Sequence, residues 1–364
     1  MVMPTRREFL IVLGGAAAGA LLGTPGFAQP RREVFVGGKR AFVVDIHAHG
    51  VFPEVAEIVR GTPLEDVAET DEEEALTPER VAIMDRRGID LQVLSVNDFW
   101  WYAADMDLAR RIVDTHDRGL QRFVARFPDR FVALSSPALQ FPELAAQQLE
   151  RAVRELGHRG ASVLGHCNGE SLSSPRFDPF WRKAEQLGVP VFMHPDEARN
   201  VAREGAFDGR GDLGNIIGNP LESTVFLSRM IFDGTLDRFP KLQIAVAHGG
   251  GYLASYLGRT EVACAVREDA NCANQLLPSE YLRRQIYVDS LVFSEQGIVH
   301  LVAEMGGADR VVYGSDLPFN WPETIDLIVG SKRLSDKEKL AILGGNLVRL
   351  LRLRKGRESS SADG

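Results

Sequence analysis

Cysteine is scarce: three residues in 364 cannot form a disulfide framework, so the fold must rest on a buried core. Cys264 and Cys272 could pair in an oxidising compartment, which would leave Cys167 over. An excess of positive charge is also missing. With 42 Lys and Arg against 50 Asp and Glu the formal net charge is -8, so the chain carries no electrostatic footprint for a nucleic-acid backbone. No apolar run is long enough to span a bilayer comfortably. What is present, 45% hydrophobic and 25% charged residues, is the composition of a soluble, well-cored protein whose partner is a small molecule.

The first residues read as an address. Thr5-Arg6-Arg7-Glu8-Phe9-Leu10 is followed by an apolar, Gly- and Ala-rich run from Ile11 to Leu22, and then by Phe27-Ala28-Gln29. This order of adjacent arginines, weakly hydrophobic run and small-x-Ala resembles a twin-arginine export signal cleaved after Ala28. Residues 1–28 are therefore expected to direct the protein to the periplasm or another extracytoplasmic space. Their removal takes away Arg6, Arg7 and Glu8 and leaves the mature chain slightly more acidic.

From residue 41 onward, short β-branched runs alternate with longer segments of helical period, the pattern of repeated βα units. Eight strands are predicted: Ala41–His47, Leu91–Val96, Phe131–Ser135, Ala161–Leu164, Val189–His194, Gln243–His248, Gln285–Asp289 and Arg310–Gly314. Among the helices between them, Thr77–Arg87 has Thr77 as N-cap, Pro78 at its first position and Gly88 as stop. Others are expected over Asp105–Phe127, Pro142–Leu156, Asp178–Leu187, Glu222–Phe232, Tyr252–Ala265, Glu295–Met305 and Pro322–Gly330. The cadence predicts an α/β fold, a single (β/α)8 TIM barrel over residues 41–350. Gly61–Ala75 reads as an acidic surface loop, and residues 355–364 as a disordered tail.

Four of the eight histidines fall at predicted strand ends: His47 and His49 at strand 1, His194 at strand 5 and His248 at strand 6. Asp316 follows strand 8. The carboxyl ends of the strands form the active face of such a barrel, so five metal-competent side chains from distant positions converge there. In His47-Ala48-His49 the period of two puts both imidazoles on one side of the strand. Three imidazoles and one carboxylate make the N₃O donor set of a catalytic zinc site. A lone His-x-His would be weak; its combination with His194-Pro195, His248-Gly249-Gly250-Gly251 and Gly314-Ser315-Asp316 is not. His116, His158 and His300 read as packing or surface residues, and His166 lies nearer the mouth. Trp100, Trp101 and Tyr102, after strand 2, could form a stacking wall for a planar substrate or could simply pack the barrel rim.

These residues resemble the amidohydrolase superfamily, and within it the branch of the 2-amino-3-carboxymuconate-6-semialdehyde and aromatic-acid decarboxylases. The resemblance runs from about Val43 to Leu350. Its most specific stretches are Asp45-Ile46-His47-Ala48-His49, Met193-His194-Pro195, Phe239 to Gly251, and Asp309 to Phe319. It implies His47, His49, His194 and Asp316 as metal ligands and His248 as the residue that shuttles a proton. It also implies Arg259 as an arginine reaching across a homodimer interface to a substrate carboxylate, and Phe319 as an aromatic wall of the pocket.

Two departures qualify it. Strand 4 offers no lysine or carboxylate to bridge a second metal, so one divalent ion is expected, zinc first and manganese second. A second substrate-binding arginine between strands 1 and 2 has no clear counterpart; Arg60 is the nearest, which puts the same dicarboxylate substrate in question.

Three functions stay open on these residues. The first is metal-dependent, non-oxidative decarboxylation of a small aromatic or unsaturated carboxylic acid, with His248 and Asp316 at the reaction centre. The second is hydrolysis of an amide, ester or lactone on the same site. The third is a catalytically silent barrel used for binding.

Overall fold

The computed structural model describes residues 31–65, 75–97 and 99–353. The expected export signal, most of the acidic loop and the tail lie outside the described residues. The barrel strands are β1 (Val44–His49), β2 (Leu91–Ser95), β3 (Phe131–Ala133), β4 (Ala161–Val163), β5 (Val191–Met193), β6 (Ile244–Val246), β7 (Ile286–Asp289) and β8 (Val311–Val312). They pair in parallel in two arcs, β1-β2-β3 and β4-β5-β6-β7-β8. A parallel bridge between Ser135 and Ala161 joins the arcs on one side, and one between Ala48 and Leu317 joins them on the other. Ile46 N donates to Tyr313 O at 3.1 Å and His49 N to Leu317 O at 2.8 Å, which closes β8 onto β1. Closure leaves no strand edge unpaired, the condition under which so short a set of parallel strands is stable.

Each predicted strand is present, mostly shortened. The first starts later than expected, because Ala41 N donates to Val34 O and Val43 N to Asp90 Oδ2, so Ala41–Val43 leave the ladder to engage a small N-terminal hairpin, Phe35–Val36 with Lys39–Arg40. Helices follow the caps. Gly88 ends Glu79–Arg87 at φ 82°, its N–H returning to Met84 O and Asp85 O, the left-handed stop that glycine takes without strain. Asp105 caps Met106–Arg126 by accepting from Leu108 N at 2.8 Å. The helix expected from Tyr252 begins only at Leu257, because a turn after the left-handed Gly249–Gly251 and a 3₁₀ turn at Ala254–Tyr256 occupy its first positions.

Two apolar clusters fill the body. The larger lies where helices meet strands and includes Ile112, Leu149, Phe180 and Trp181; the other joins Val44, Ile46, Val93, Phe192 and Ala245 to Leu347 of the last helix, Asn346–Leu350, and to Leu351 just after it. Among the described residues no helix is long and apolar enough to cross a membrane.

Candidate metal centre

The strand ends deliver the site. His47 and His49 close β1, and Asp316 N donates to His47 O at 2.8 Å, so the turn after β8 is tied beside them. His194 follows β5 directly, its N–H on Val163 O at 3.0 Å. His248 opens a turn in which four consecutive residues are left-handed: φ is 54° at His248, 66° at Gly249, 71° at Gly250 and 69° at Gly251. A Cβ on Gly250 would stand 2.6 Å from Val288 Cγ1, and one on Gly251 2.1 Å from Pro220 O. Only glycine fits there. Asp316 is also left-handed, at φ 59°, so two non-glycine residues of the site hold an uncommon backbone conformation.

The side chains converge. His47 Nε2 and His49 Nε2 lie 3.0 and 2.9 Å from Asp316 Oδ1, and 3.4 Å from each other. The His194 ring centroid is 4.9 Å from that of His47 and 4.7 Å from that of His49. His248 Nε2 stands 3.9 Å from Asp316 Oδ2. Ligand-type atoms of His47, His194, His248 and Asp316 all fall within 4.8 Å of one another. The expected pair in β1 does face one point, its rings 5.5 Å apart at 21°. It does so through a shift in register between Asp45 and Ala48, not along a regular ladder.

Whether these residues fit a cation is decided by their unmet needs. His194 Nδ1, His248 Nδ1 and Asp316 Oδ1 are buried without a hydrogen bond, although nitrogens approach Asp316 Oδ1 closely. Several imidazoles gathered on one buried carboxylate are placed as ligands are placed around an ion. The titration tendencies agree. Burial disfavours charge on His47, yet the carboxylates of Asp316 and Asp289 outweigh it and push the imidazole up to about 10. Burial and then the neighbouring histidines hold His194 well below its usual range. Burial opposes charge on Asp316, but His47 and hydrogen bonds from His248, His47 and His49 keep it well below the carboxylate range. Without a cation the cluster must share protons unevenly; a divalent ion satisfies all of it at once.

Two supporting carboxylates were not singled out from the sequence. His47 Nδ1 donates to Asp289 Oδ2 at 2.7 Å, both side chains fully buried, which fixes the tautomer and leaves Nε2 facing the site. Asp289 Oδ1 accepts from Gly249 N at 2.9 Å, so one residue ties His47 to the His248 turn. Asp45 Oδ1 accepts from His47 N and Ser315 N, each at 3.0 Å, while Oδ2 takes Gln92 Nε2 at 2.8 Å. For Asp289 the available signal was an aspartate at the carboxyl end of a predicted strand, without a histidine beside it; Asp45 stood in the Asp45-Ile46-His47-Ala48-His49 motif without a role.

A cavity of about 490 Å³ opens above the cluster, and His49, His194, His248, Asp316 and Phe319 line it. Phe319 meets the His49 ring edge-on at 4.9 Å and 80°, as a pocket wall should. Trp101 requires a correction. It is buried against His116, 4.9 Å between centroids, and Phe99, 5.4 Å, and is not part of the cavity lining. Trp100 is half-buried against the core and also off the lining. The apolar demand of the strand-2 loop draws both rings into the rim.

Arg259 lies exposed on the helix Leu257–Val266 and does not line the cavity in the single chain. Arg60 pairs with Glu57 at 2.6 Å on the surface. His166 and Cys167 form part of a small hairpin away from the lining, and burial pushes the Cys167 thiol up to about 12, which makes it inert. Cys264 and Cys272 are disulfide-bonded, with Cα atoms 5.9 Å apart.

A closed parallel barrel with imidazoles and a carboxylate gathered at its strand ends defines a metal-dependent enzyme of the (β/α)8 class. Three comparisons narrow the class. The chain belongs to the amidohydrolase family, whose model matches residues 44–353. It is 34% identical to 2-amino-3-carboxymuconate-6-semialdehyde decarboxylase of Dictyostelium discoideum, over 75% of this chain and 76% of that protein. It is 30% identical to a gamma-resorcylate decarboxylase of Polaromonas, over 76% of this chain and 87% of that protein. The crystal structure of a Polaromonas dihydroxybenzoic acid decarboxylase with bound manganese and 2-nitroresorcinol superposes with a TM-score of 0.74 at 26% identity, covering 87% of this chain and 98% of that one.

Proposed function

We propose that the protein is a metal-dependent, non-oxidative decarboxylase of a small aromatic or unsaturated carboxylic acid. The observation that carries the reading is the buried His47, His49, His194 and Asp316 cluster at the floor of a cavity, with His248 at its side and related decarboxylases over most of the chain. His47, His49, His194 and Asp316 would hold one divalent ion. When bound, the ion supplies positive charge that positions a carboxylate and lowers the pKa of coordinated water.

The protein's own groups do the rest. Asp289 and Asp45 hold the β1 histidines and the Asp316 turn in place. Phe319 presents an apolar wall to a planar ring. His248, 14% exposed and with Nδ1 unbonded, holds the proton that the substrate carbon gains as carbon dioxide leaves. One proton enters, one carbon–carbon bond breaks, and its electron pair stays on the ring carbon that takes the proton.

Zinc is the ion we propose, because three imidazoles and one carboxylate suit it; the manganese in the Polaromonas enzyme makes manganese the alternative. We also propose a homodimer, in which the exposed Arg259 of one chain completes the site of the other. The proposed location is periplasmic, reached by the twin-arginine route, and the Cys264–Cys272 disulfide supports an oxidising compartment. Normal export and processing of an Arg6→Lys, Arg7→Lys protein would overturn the twin-arginine route, and retention of the parent in the cytoplasm would overturn the location.

The activity is tested with purified, metal-loaded protein on a panel of aromatic acids, followed by carbon dioxide release, and in parallel on esters and lactones, followed by acid release. Acid release without carbon dioxide would overturn the decarboxylase in favour of a hydrolase.

A further inference from the structure

The loop after His194 is held from behind by the next helix. Glu222, on the helix Asn219–Phe232 and fully buried, accepts three backbone N–H groups: Asp196 N and Ala198 N on Oε2, each at 3.0 Å, and Gly165 N on Oε1 at 3.1 Å. Asn219 Oδ1 accepts the amide between the first two, Glu197 N, at 2.6 Å. Three consecutive amides of one loop are thus met by two side chains from one turn of helix, and the same carboxyl group reaches the chain just beyond β4. The fit is close. A Cβ on Gly165 would stand 2.6 Å from Glu222 Oε1, and one on Gly218 2.6 Å from Glu197 O. Glu197 and Ala198 are both left-handed, at φ 56° and 55°, a backbone that residues other than glycine keep only where the surrounding contacts impose it.

A contrast between two of the ligand-type histidines shows what this cradle serves. Asp289 fixes the His47 ring through Nδ1, whereas His194 Nδ1 is buried without a hydrogen bond. The His194 ring is therefore aimed by its backbone. On one side its N–H is bonded to Val163 O at 3.0 Å; on the other, Pro195 restricts it to extended geometry and passes directly into the cradled loop. We propose that Glu222 and Asn219 are positioning residues of the metal centre, which aim His194 at the ion by holding Asp196–Ala198 in its left-handed course. They do for His194 from the main chain what Asp289 does for His47 from the ring. The proposal rests on His194 being a metal ligand and is independent of the bond that the enzyme breaks.

The test is cobalt(II) bound to the full-length protein, followed by its visible absorption bands, which report how the ligands are arranged, and by competition with a chelator. Glu222→Gln leaves one acceptor oxygen for three donors, and Asn219→Ala leaves Glu197 N without its acceptor. Each is expected to weaken cobalt binding about tenfold and to shift the bands. Asn219→Asp keeps an acceptor oxygen and is expected to restore affinity and bands together. Leu149→Ala, a buried change on the helix Pro142–Arg154, is expected to lower Tm and leave the bands where they are. Parental bands and affinity in both Glu222→Gln and Asn219→Ala, an equal shift in Leu149→Ala, or no restoration by Asn219→Asp overturns the proposal. Should circular dichroism show Glu222→Gln unfolded, the two Asn219 variants decide. A parent that binds no cobalt overturns the metal centre and this proposal with it. Carbon dioxide release is read separately, so its absence sinks the decarboxylase reading while the cobalt bands still decide the roles of Glu222 and Asn219.

Discussion

Replacing Asp289 by asparagine should cost the protein its metal without costing it the fold. Asp289 Oδ1 accepts from Gly249 N at 2.9 Å and Leu291 N at 3.1 Å, while Oδ2 accepts from His47 Nδ1 at 2.7 Å. An asparagine has one acceptor oxygen. Directed to the two backbone donors, it turns its NH₂ toward His47 Nδ1, which must then become an acceptor. The imidazole proton moves to Nε2, the atom 3.0 Å from Asp316 Oδ1 that has to be bare to ligate. The opposite orientation keeps the His47 bond but leaves two buried N–H groups facing an NH₂, at about 1–3 kcal/mol each. The first is therefore adopted. Losing a partner of this kind weakens metal binding by roughly 10–100-fold, or about 1.4–2.7 kcal/mol at 1.36 kcal/mol per decade. Competition with a chelator of known affinity measures the change, nitrogen-15 spectra of the imidazole report the tautomer, and circular dichroism checks the fold. Metal affinity within twofold of the parent, with His47 still protonated on Nδ1 in the zinc-loaded variant, would refute the reasoning.

Three other outcomes are expected. His248→Ala should lower kcat by about 10²–10⁴-fold with one equivalent of metal retained; loss of the metal in elemental analysis would make His248 a ligand. Burial pushes Glu222 up to about 7, above its unfolded value, so its stabilising contribution is complete at low pH and is lost as pH rises toward and through 7. Over pH 5–7 the parent should therefore lose up to about 3 kcal/mol relative to Glu222→Gln, and parallel Tm-against-pH curves for the two would contradict this. Gly251→Ala should destabilise by at least about 2 kcal/mol in urea, because φ is 69° and the new Cβ would sit 2.1 Å from Pro220 O; an unchanged midpoint would mean the turn can move.

The barrel was legible because its strands are short β-branched runs whose period and spacing need no long-range information, and because Gly88 and Asp105 mark helix ends by local chemistry. The metal cluster was legible for a related reason: histidine is costly to bury unpaired, so five ligand-type residues at strand ends point to one centre. What local chemistry does not encode was missed. Asp289 acts on His47 across 242 residues, and nothing near it in sequence says so. For Trp101 the sequence left substrate wall and rim packing both open, because its loop faces the mouth, and the ring turned inward to pack on His116. The start of β1 was misplaced because Ala41–Val43 are as apolar as a strand but spend their hydrogen bonds on the hairpin and Asp90.

The acidity of the chain, awkward for an enzyme of carboxylates, becomes useful once it is located. A divalent ion held by three imidazoles and one carboxylate would put positive charge at the floor of the cavity, whose lining also includes Asp196, Glu197 and Asp212. The potential would then fall from the floor of the cavity towards those carboxylates. A uniformly positive mouth would bind any polyanion in either direction. A graded one also orients: it draws the carboxylate of a substrate down to the floor and turns its neutral or cationic end outward, so the bond to be broken is presented to His248 before any chemistry occurs. On this argument neutralising the wall should raise the affinity for anions in general and lower the fraction of bound acid that reacts. The two effects separate as a fall in KM together with a fall in kcat for Asp212→Asn, and a fall in KM alone would leave orientation to the floor.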